Sequence, residues 1–148
     1  MTISSAALSR SAPLERNYML DTNIASHVIK GTQAVRNRLI QAPMHAISVS
    51  AVTDAELRYG VAKRGHPQKL ENLVKEFLIR VNVLPWTQAV AHVYADLRAA
   101  CEAQGAPLGP LDMMIAAHAK AIAATLVTND QAFSRIPAGC LALEDWTK

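Results

Sequence analysis

Two aspartates of this chain follow almost directly on short apolar strands, a position suited to holding a metal ion. Asp21 follows 18–20 (Tyr-Met-Leu), and Asp130 follows 125–128 (Thr-Leu-Val-Thr) after a single asparagine. A carboxylate at the end of a buried strand is costly to desolvate unless it is paired or binds a cation. We therefore predict that Asp21 holds a metal ion and that other carboxylates of the chain gather around it.

Glu56 is a further candidate ligand. It belongs to a helix predicted over 51–63, where it shares one helical stripe with Val52, Ala55 and Tyr59. A carboxylate on an otherwise apolar stripe is typical of a site residue. The alternative interpretation is that Glu56 lies at the edge of the stripe and is solvated.

Asp112 is the fourth candidate. Pro110 suits the first position of a helix that continues to residue 122, so Asp112 falls in its first turn. The residues that follow are apolar on nearly all sides, which indicates a buried helix. An acid in the first turn can simply offset the helix dipole, but a lone carboxylate that opens a buried helix is also a candidate ligand.

Strands and helices alternate along the whole chain. Strands are predicted at 18–20, 45–48, 82–84, 125–128 and 141–143, and helices at 23–30, 33–41, 51–63, 67–81, 88–104, 111–122 and 131–135. This order predicts an α/β fold in which a short, mostly parallel sheet is covered by helices on both faces. Ligands bind such sheets beyond the carboxyl ends of the strands, and the four carboxylates can all reach that edge.

Four bare carboxylates at one edge would repel one another, and a hard divalent cation relieves that repulsion. Oxygen ligands without paired His or Cys point to Mg²⁺ or Mn²⁺ rather than Zn²⁺. A water beside such an ion can be activated to attack a phosphodiester, and a second ion could stabilise the leaving oxygen. Four polar residues could orient the carboxylates or waters: Thr22, Asn23, Thr128 and Asn129.

Composition narrows the possible classes. The 148 residues, 51% of them hydrophobic, fit one domain with a sizeable core, and no apolar run reaches the length of a membrane span. We expect 1–16 to be a disordered tail and 17–148 to be a single domain. Cys101 and Cys140 lack metal-ligand spacing and are expected as reduced thiols in the cytoplasm. No P-loop, nucleophile elbow or dinucleotide fingerprint is present.

Four segments together resemble the PIN-domain ribonucleases, in particular the VapC toxins of prokaryotic toxin–antitoxin pairs. They are 20–24 (Leu-Asp-Thr-Asn-Ile), 50–56 (Ser-Ala-Val-Thr-Asp-Ala-Glu), 109–116 (Gly-Pro-Leu-Asp-Met-Met-Ile-Ala) and 126–130 (Leu-Val-Thr-Asn-Asp), in the order of the family. The ending 143–146 (Leu-Glu-Asp-Trp) is also similar to many members. Each motif alone is a weak signal, but the ordered set, over about 17–146, is specific.

The resemblance implies a PIN-like three-layer α/β/α fold and a magnesium-dependent endoribonuclease that inhibits translation and growth, with tRNA as the favoured substrate. Asp21, Glu56 and Asp112 match the three central acids of the family. Asp130 matches a fourth acidic region, which varies more among members. The resemblance also implies a homodimer and inhibition by a small VapB-type antitoxin whose tail blocks the site.

Two alternatives remain open. The same fold could process RNA or cleave DNA without an antitoxin, or the chain could be a non-catalytic nucleic-acid-binding or regulatory module. The intact acids argue against the second alternative, since a degenerate site would have lost some of them. The net charge of +3 is compatible with a nucleic-acid partner. Six basic residues are candidates for salt-sensitive RNA binding: Arg36, Arg38, Arg58, Lys63, Arg64 and Arg135.

Overall fold

Short apolar strands alternate with amphipathic helices in the computed structural model, which describes residues 16–105 and 107–148. The strands are β1 (Tyr18–Leu20), β2 (Ile47–Ser50), β3 (Asn82–Leu84), β4 (Thr125–Val127) and β5 (Leu143–Glu144). The α-helices are α1 (Thr22–Lys30), α2 (Gln33–Gln41), α3 (Ala51–Lys63), α4 (Gln68–Arg80), α5 (Gln88–Ala103) and α6 (Pro110–Ala121). Two 3₁₀ helices span Met44–Ala46 and Gln131–Arg135.

The five strands form one parallel sheet in the order β3-β2-β1-β4-β5. Parallel neighbours need long crossover connections, which the intervening helices supply. β1 is central, with Met19 opposite Ser48 of β2 and Leu126 of β4. Since all the strands run the same way, their carboxyl ends lie at one edge of the sheet, as predicted.

The sheet separates two apolar cores, because successive strand residues point to opposite faces. Met19 and Leu126 pack with α5 and α6, in a core that includes Leu97 and Ile115. Leu20 and Val127 pack on the other side, with residues of α1, α3 and α4. Helices therefore cover both faces, and the predicted three-layer α/β/α fold is confirmed.

Two predicted strands lie one or two residues too early in the chain. The second strand begins at Ile47 rather than His45, because the residues after Pro43 first make a 3₁₀ turn in which the Ala46 N–H donates to the Pro43 carbonyl (2.9 Å). The last strand is Leu143–Glu144 rather than 141–143. The Cys140 N–H donates to the Pro137 carbonyl (3.1 Å) and closes a turn. The strand that pairs with β4 therefore starts later in the chain than predicted.

The predicted inward stripe of α3 is also wrong. Val52 is buried, but Ala55 is exposed and Tyr59 is 65% exposed. The helix instead buries Thr53, Leu57 and Val61, which follow one another at intervals of four residues. Glu56 is half-buried beside that face.

The remaining predictions concern the end of α1, the two cysteines, membrane-spanning helices and the N-terminal residues. Gly31 ends α1 with φ +83°, as expected of a C-cap glycine. Cys101 and Cys140 are free thiols. Within 16–105 and 107–148, no helix is both long enough and apolar enough to cross a membrane. The predicted tail, 1–16, lies outside the described residues apart from Arg16, whose guanidinium pairs with Glu144 (3.2 Å).

Candidate active site

Asp21 lies at the carboxyl end of β1 and also caps α1. Its backbone N–H donates to the Val127 carbonyl of β4 (3.0 Å), and its Oδ1 accepts from the Ile24 N–H (2.8 Å). A short acidic side chain is favoured here because it satisfies a free N–H at the start of the helix. The side chain is only 3% exposed. Asp21 is thus held rigidly between the central strand and its helix.

The environment of Asp21 disfavours its charged form. Burial raises its pKa to about 6, although hydrogen bonds from Thr128 and from the Ile24 N–H act in the opposite direction. The negative charges of Asp112 and Asp130 raise the pKa further. Two of the other predicted carboxylates therefore lie close enough to Asp21 to repel its charge.

Glu56 is held at the start of α1 by a chain of hydroxyl groups. Thr22, the residue after Asp21, donates from Oγ1 to Glu56 Oε1 (2.5 Å), and Thr53 Oγ1 lies 3.2 Å from the same Thr22 oxygen. A threonine hydroxyl has one hydrogen to donate. Since Thr22 gives that hydrogen to Glu56, Thr53 is the donor to Thr22. The chain Thr53→Thr22→Glu56 ties α3 to the start of α1.

Asp112 and Asp130 complete the acidic cluster. Asp112 is half-buried in the first turn of α6; burial raises its pKa, and the charges of Asp130 and Glu56 raise it further. Asp130 follows β4, where its Oδ1 accepts from the Ala132 N–H (2.9 Å). Each of the four predicted carboxylates thus lies close enough to at least one other to repel its charge: Asp112 and Asp130 act on Asp21, and Asp130 and Glu56 act on Asp112.

Two of the four predicted orienting residues contact the acids. Thr22 bonds Glu56. Thr128 is hydrogen-bonded to Asp21, and its Oγ1 accepts from the Asp130 N–H (3.0 Å). The other two, Asn23 and Asn129, are exposed and half-buried respectively. Thr128 therefore links the first and the last acid of the cluster.

Thr53 supports the site but was not predicted from the sequence. It is fully buried, and it lies three residues before Glu56 on the same helix. Residues three apart on a helix are neighbours, so that spacing was the available signal. The predicted buried stripe of α3 runs through Tyr59 and does not include Thr53, so Thr53 was not expected to face the interior.

Replacing Thr53 by Val is expected to lower the kcat of the RNA cleavage predicted from the sequence by about 10-fold, since disturbing the partners of a carboxylate that binds metal, as predicted for Glu56, costs at least that much. Valine keeps the shape of threonine but cannot donate to Thr22. Thr53→Ser is the control, because it keeps the hydroxyl. Equal kcat values for the two variants, measured on the same RNA, would show that the hydroxyl chain does not position Glu56.

The donor set of this cluster fits a hard divalent cation. Among the described residues, no three Asp, Glu, His or Cys side chains form a ready-made cage for a metal ion. Mg²⁺ is usually held by one or two carboxylates together with several waters rather than by such a cage. A group of mutually repelling carboxylates around the buried Asp21 suits this mode of binding.

Some of the predicted basic residues have structural partners. Arg38 pairs with Glu144 (3.0 Å), and its guanidinium lies 5.5 Å from the centre of the Trp146 ring. Arg58 pairs with Asp54, four residues earlier on α3 (2.5 Å). Contact of these residues with RNA stays a prediction.

The chain is similar to known proteins over most of its length. The PIN domain family matches residues 18–139. The ribonuclease VapC2 of Rickettsia felis is 38% identical over 134 residues, which are 88% of this chain and 98% of that protein. The tRNA(fMet)-specific endonuclease VapC of Shigella flexneri is 36% identical over 131 residues, with the same coverage. The DNA-bound VapBC structure from Salmonella typhimurium matches with a TM-score of 0.82 and 34% identity, over 88% of this chain and 98% of that one.

Proposed function

The chain belongs to the PIN-domain family, among its VapC ribonucleases, and from that premise we propose that it is the endoribonuclease toxin of a toxin–antitoxin pair. The observation that carries the proposal is the acidic cluster at the sheet edge, where burial and neighbouring carboxylates raise the pKa of Asp21 to about 6. Mutually repelling acids around the buried Asp21 destabilise the folded protein when no cation is bound. The same acids can bind a cation, and a bound cation can act on the phosphate of RNA.

We propose that Asp21, Glu56, Asp112 and Asp130 hold Mg²⁺, directly or through its bound waters, with Mn²⁺ as a substitute. A bound divalent ion supplies positive charge for the phosphate oxygens and acidifies water. The carboxylates fix the position of that charge, and the hydroxyls of Thr22 and Thr128 fix the carboxylates. Without a cation the four acids would repel the phosphodiester of any RNA, so the chain's own residues make productive binding depend on the metal.

The proposed substrate is tRNA. The Shigella flexneri relative is named as specific for tRNA(fMet), which makes this tRNA the first substrate to test. The net charge is +3 although the site itself is acidic, so positive charge is concentrated on the rest of the protein. Such charge favours polyanions and predicts binding that weakens with salt. The free thiols fit the reducing cytoplasm, where this substrate is found.

The proposed inhibitor is a small VapB-type antitoxin. A groove between α1, α2 and α4 encloses a cavity of about 310 Å³. Ile40 is 80% exposed at this groove, and Met44 is also exposed. Contiguous apolar surface of this kind marks protein-binding sites. The apolar side chains of the groove are Val28, Ile29, Leu39, Ile40, Met44, Leu73, Phe77 and Val81.

The predicted homodimer also has a suitable surface. Tyr59 and Leu111 are exposed next to the half-buried Trp86 and Met114. Together with Glu56 these residues line a second, largely apolar cavity on the outer side of α3. We propose that a second copy of the chain covers this surface.

The proposal is tested by incubating the purified protein with a tRNA(fMet) transcript in Mg²⁺, in Mn²⁺ and in excess chelator. We expect defined internal cuts with either ion. With chelator we expect cleavage to be at least about 100-fold slower, because loss of the metal itself should cost more than the 10- to 100-fold that loss of an outer partner of a metal site costs. Restoring Mg²⁺ should restore the rate. Cleavage that continues unchanged in chelator would contradict the metal site, and an intact transcript in all conditions would contradict this substrate.

Induction in bacterial cells tests the toxin role. We expect growth arrest, and cuts in the same tRNA after brief induction. Co-expression of a VapB-type antitoxin that binds this chain should restore growth. Cells that keep growing despite soluble, folded protein would favour a nuclease that works without an antitoxin.

A further inference from the structure

A buried serine and a buried histidine join the two helices that carry Glu56 and Asp112. Ser50 Oγ lies 2.8 Å from Nδ1 of His118 on α6. Ser50 is 0% and His118 1% exposed. The same serine oxygen accepts from the Val52 N–H (3.1 Å) and so caps α3. One hydroxyl group thus connects the start of α3 to α6 through the core.

An imidazole at this position is not explained by packing. The neighbours of His118 along α6 are the buried residues Ile115, Ala116, Ala117 and Ala119. Burying a polar ring costs free energy unless it is hydrogen-bonded, and an apolar side chain of similar size would avoid that cost. Burial also lowers the pKa of His118, which keeps the ring neutral. The Ser50–His118 pair therefore contributes a directional hydrogen bond rather than a charge.

The position of the pair relates it to the acidic cluster. Ser50 comes six residues before Glu56, and His118 comes six residues after Asp112. At a rise of about 1.5 Å per residue, each member lies about 9 Å along the helix from its acid. The alanine side chains of α6 are small, so their packing does little to fix the position of α6 along α3. A directional hydrogen bond can set it.

We infer that Ser50 and His118 are positioning residues that hold Glu56 and Asp112 at the separation needed to bind one divalent cation. The inference rests on the proposed nuclease function, because it concerns the same carboxylates. Neither residue touches the cation or RNA. Their contribution is to fix α3 and α6 relative to each other.

The test compares His118→Leu, His118→Asn and Ser50→Ala with the unaltered protein. Leucine fills the space without a hydrogen bond, whereas asparagine places a polar group where Nδ1 lies. Mg²⁺ affinity is measured by calorimetry in the absence of RNA, and kcat and KM are measured on the tRNA(fMet) transcript. Circular dichroism and the melting temperature report on folding, and each assay is run well below the lowest melting temperature.

We expect His118→Leu to weaken Mg²⁺ binding and to lower kcat, each by about 10-fold, with KM changed by less than about 2-fold, as for loss of an outer partner of a metal site. His118→Asn should recover most of both quantities. The double variant Ser50→Ala/His118→Leu should be little worse than Ser50→Ala alone, because Ser50→Ala already removes the hydrogen bond between the two residues.

Three results would overturn the inference: unchanged Mg²⁺ affinity and kcat in His118→Leu, an equally large loss in His118→Asn, or losses that multiply in the double variant. If His118→Leu does not fold, Ser50→Ala decides the question, and unchanged Mg²⁺ affinity in that variant contradicts the inference. Should the unaltered protein bind Mg²⁺ yet leave tRNA intact, the proposed substrate fails while the calorimetric comparison still tests the pair.

Discussion

Asp21→Asn is expected to lower the rate of RNA cleavage by at least about 100-fold, since even the outer partners of a metal site contribute 10- to 100-fold. Asparagine keeps an oxygen that can accept from the Ile24 N–H, so the cap of α1 is retained. It removes the charge that a cation requires. Single-turnover cleavage of tRNA(fMet) in saturating Mg²⁺ measures the effect.

The same substitution is expected to stabilise the metal-free protein. The pKa of Asp21 is raised from 3.8 to about 6 in the folded protein, so the folded state binds this proton more tightly than the unfolded state. The unaltered protein therefore loses stability as the pH rises from about 4 through 6, whereas the Asn variant does not. At about pH 8 the gain is up to about 2–3 kcal/mol, reduced by the loss of the Thr128 hydrogen bond.

Asp96→Asn is the matched control, because Asp96 is an exposed aspartate of α5 whose charge is not among those that raise the pKa of Asp21 or Asp112. It should leave both the cleavage rate and the pH dependence of melting in chelator unchanged. If Asp21→Asn cleaves at more than about a tenth of the normal rate, Asp21 is not a ligand. If its melting temperature shows the same dependence on pH as that of the unaltered protein, the carboxylate is not strained by burial.

Trp146→Ala is expected to cost about 3–5 kcal/mol of unfolding free energy, a large share of the stability of a domain of this size. Trp146 is 1% exposed and lies edge-on to Tyr18, with ring centres 5.2 Å apart. Its Nε1–H donates to Glu144 Oε1 (3.0 Å), which also accepts from Arg38. Removing the ring leaves a cavity under β1 and frees the edge strand β5. Urea unfolding followed by circular dichroism measures the loss.

Trp146→Phe separates the contribution of the aromatic ring to stability from that of the indole N–H group. Phenylalanine keeps an aromatic contact with Tyr18 and with the Arg38 guanidinium, so we expect a loss of only about 1–2 kcal/mol, from the hydrogen bond and the smaller ring. A loss below about 1 kcal/mol in Trp146→Ala would mean that the C-terminal residues are not part of the core.

Much of the architecture could be read from local patterns. Apolar runs of three or four residues alternate with segments of helical period, and that order alone predicts a parallel sheet between helices. The rule that parallel strands end at one edge then places Asp21 and Asp130 together. Helix boundaries were accurate where a cap marked them, as at Ser50 and Gly31. Strand boundaries failed at His45 and Leu141, because turns that precede β2 and β5 leave no clear signal in the sequence.

The face that a helix buries was harder to predict. For α3, apolar residues recur at helical spacing on two adjacent stripes, one through Ala55 and Tyr59 and one through Leu57 and Val61, so periodicity alone does not decide between them. Packing against α1 and α4 selects the stripe through Thr53, Leu57 and Val61. Only the tertiary structure therefore reveals that Thr53 supports Thr22 and Glu56.

The sequence by itself determined the α/β alternation, the four acids and the family, because these depend on residue types, short spacings and their order. The tertiary structure decided which side chains support those acids. Ser50 and His118 are 68 residues apart, and their contact depends on the angle and register at which α6 packs against the start of α3. Such geometry arises from the packing of the whole core, and no local pattern of residues specifies it.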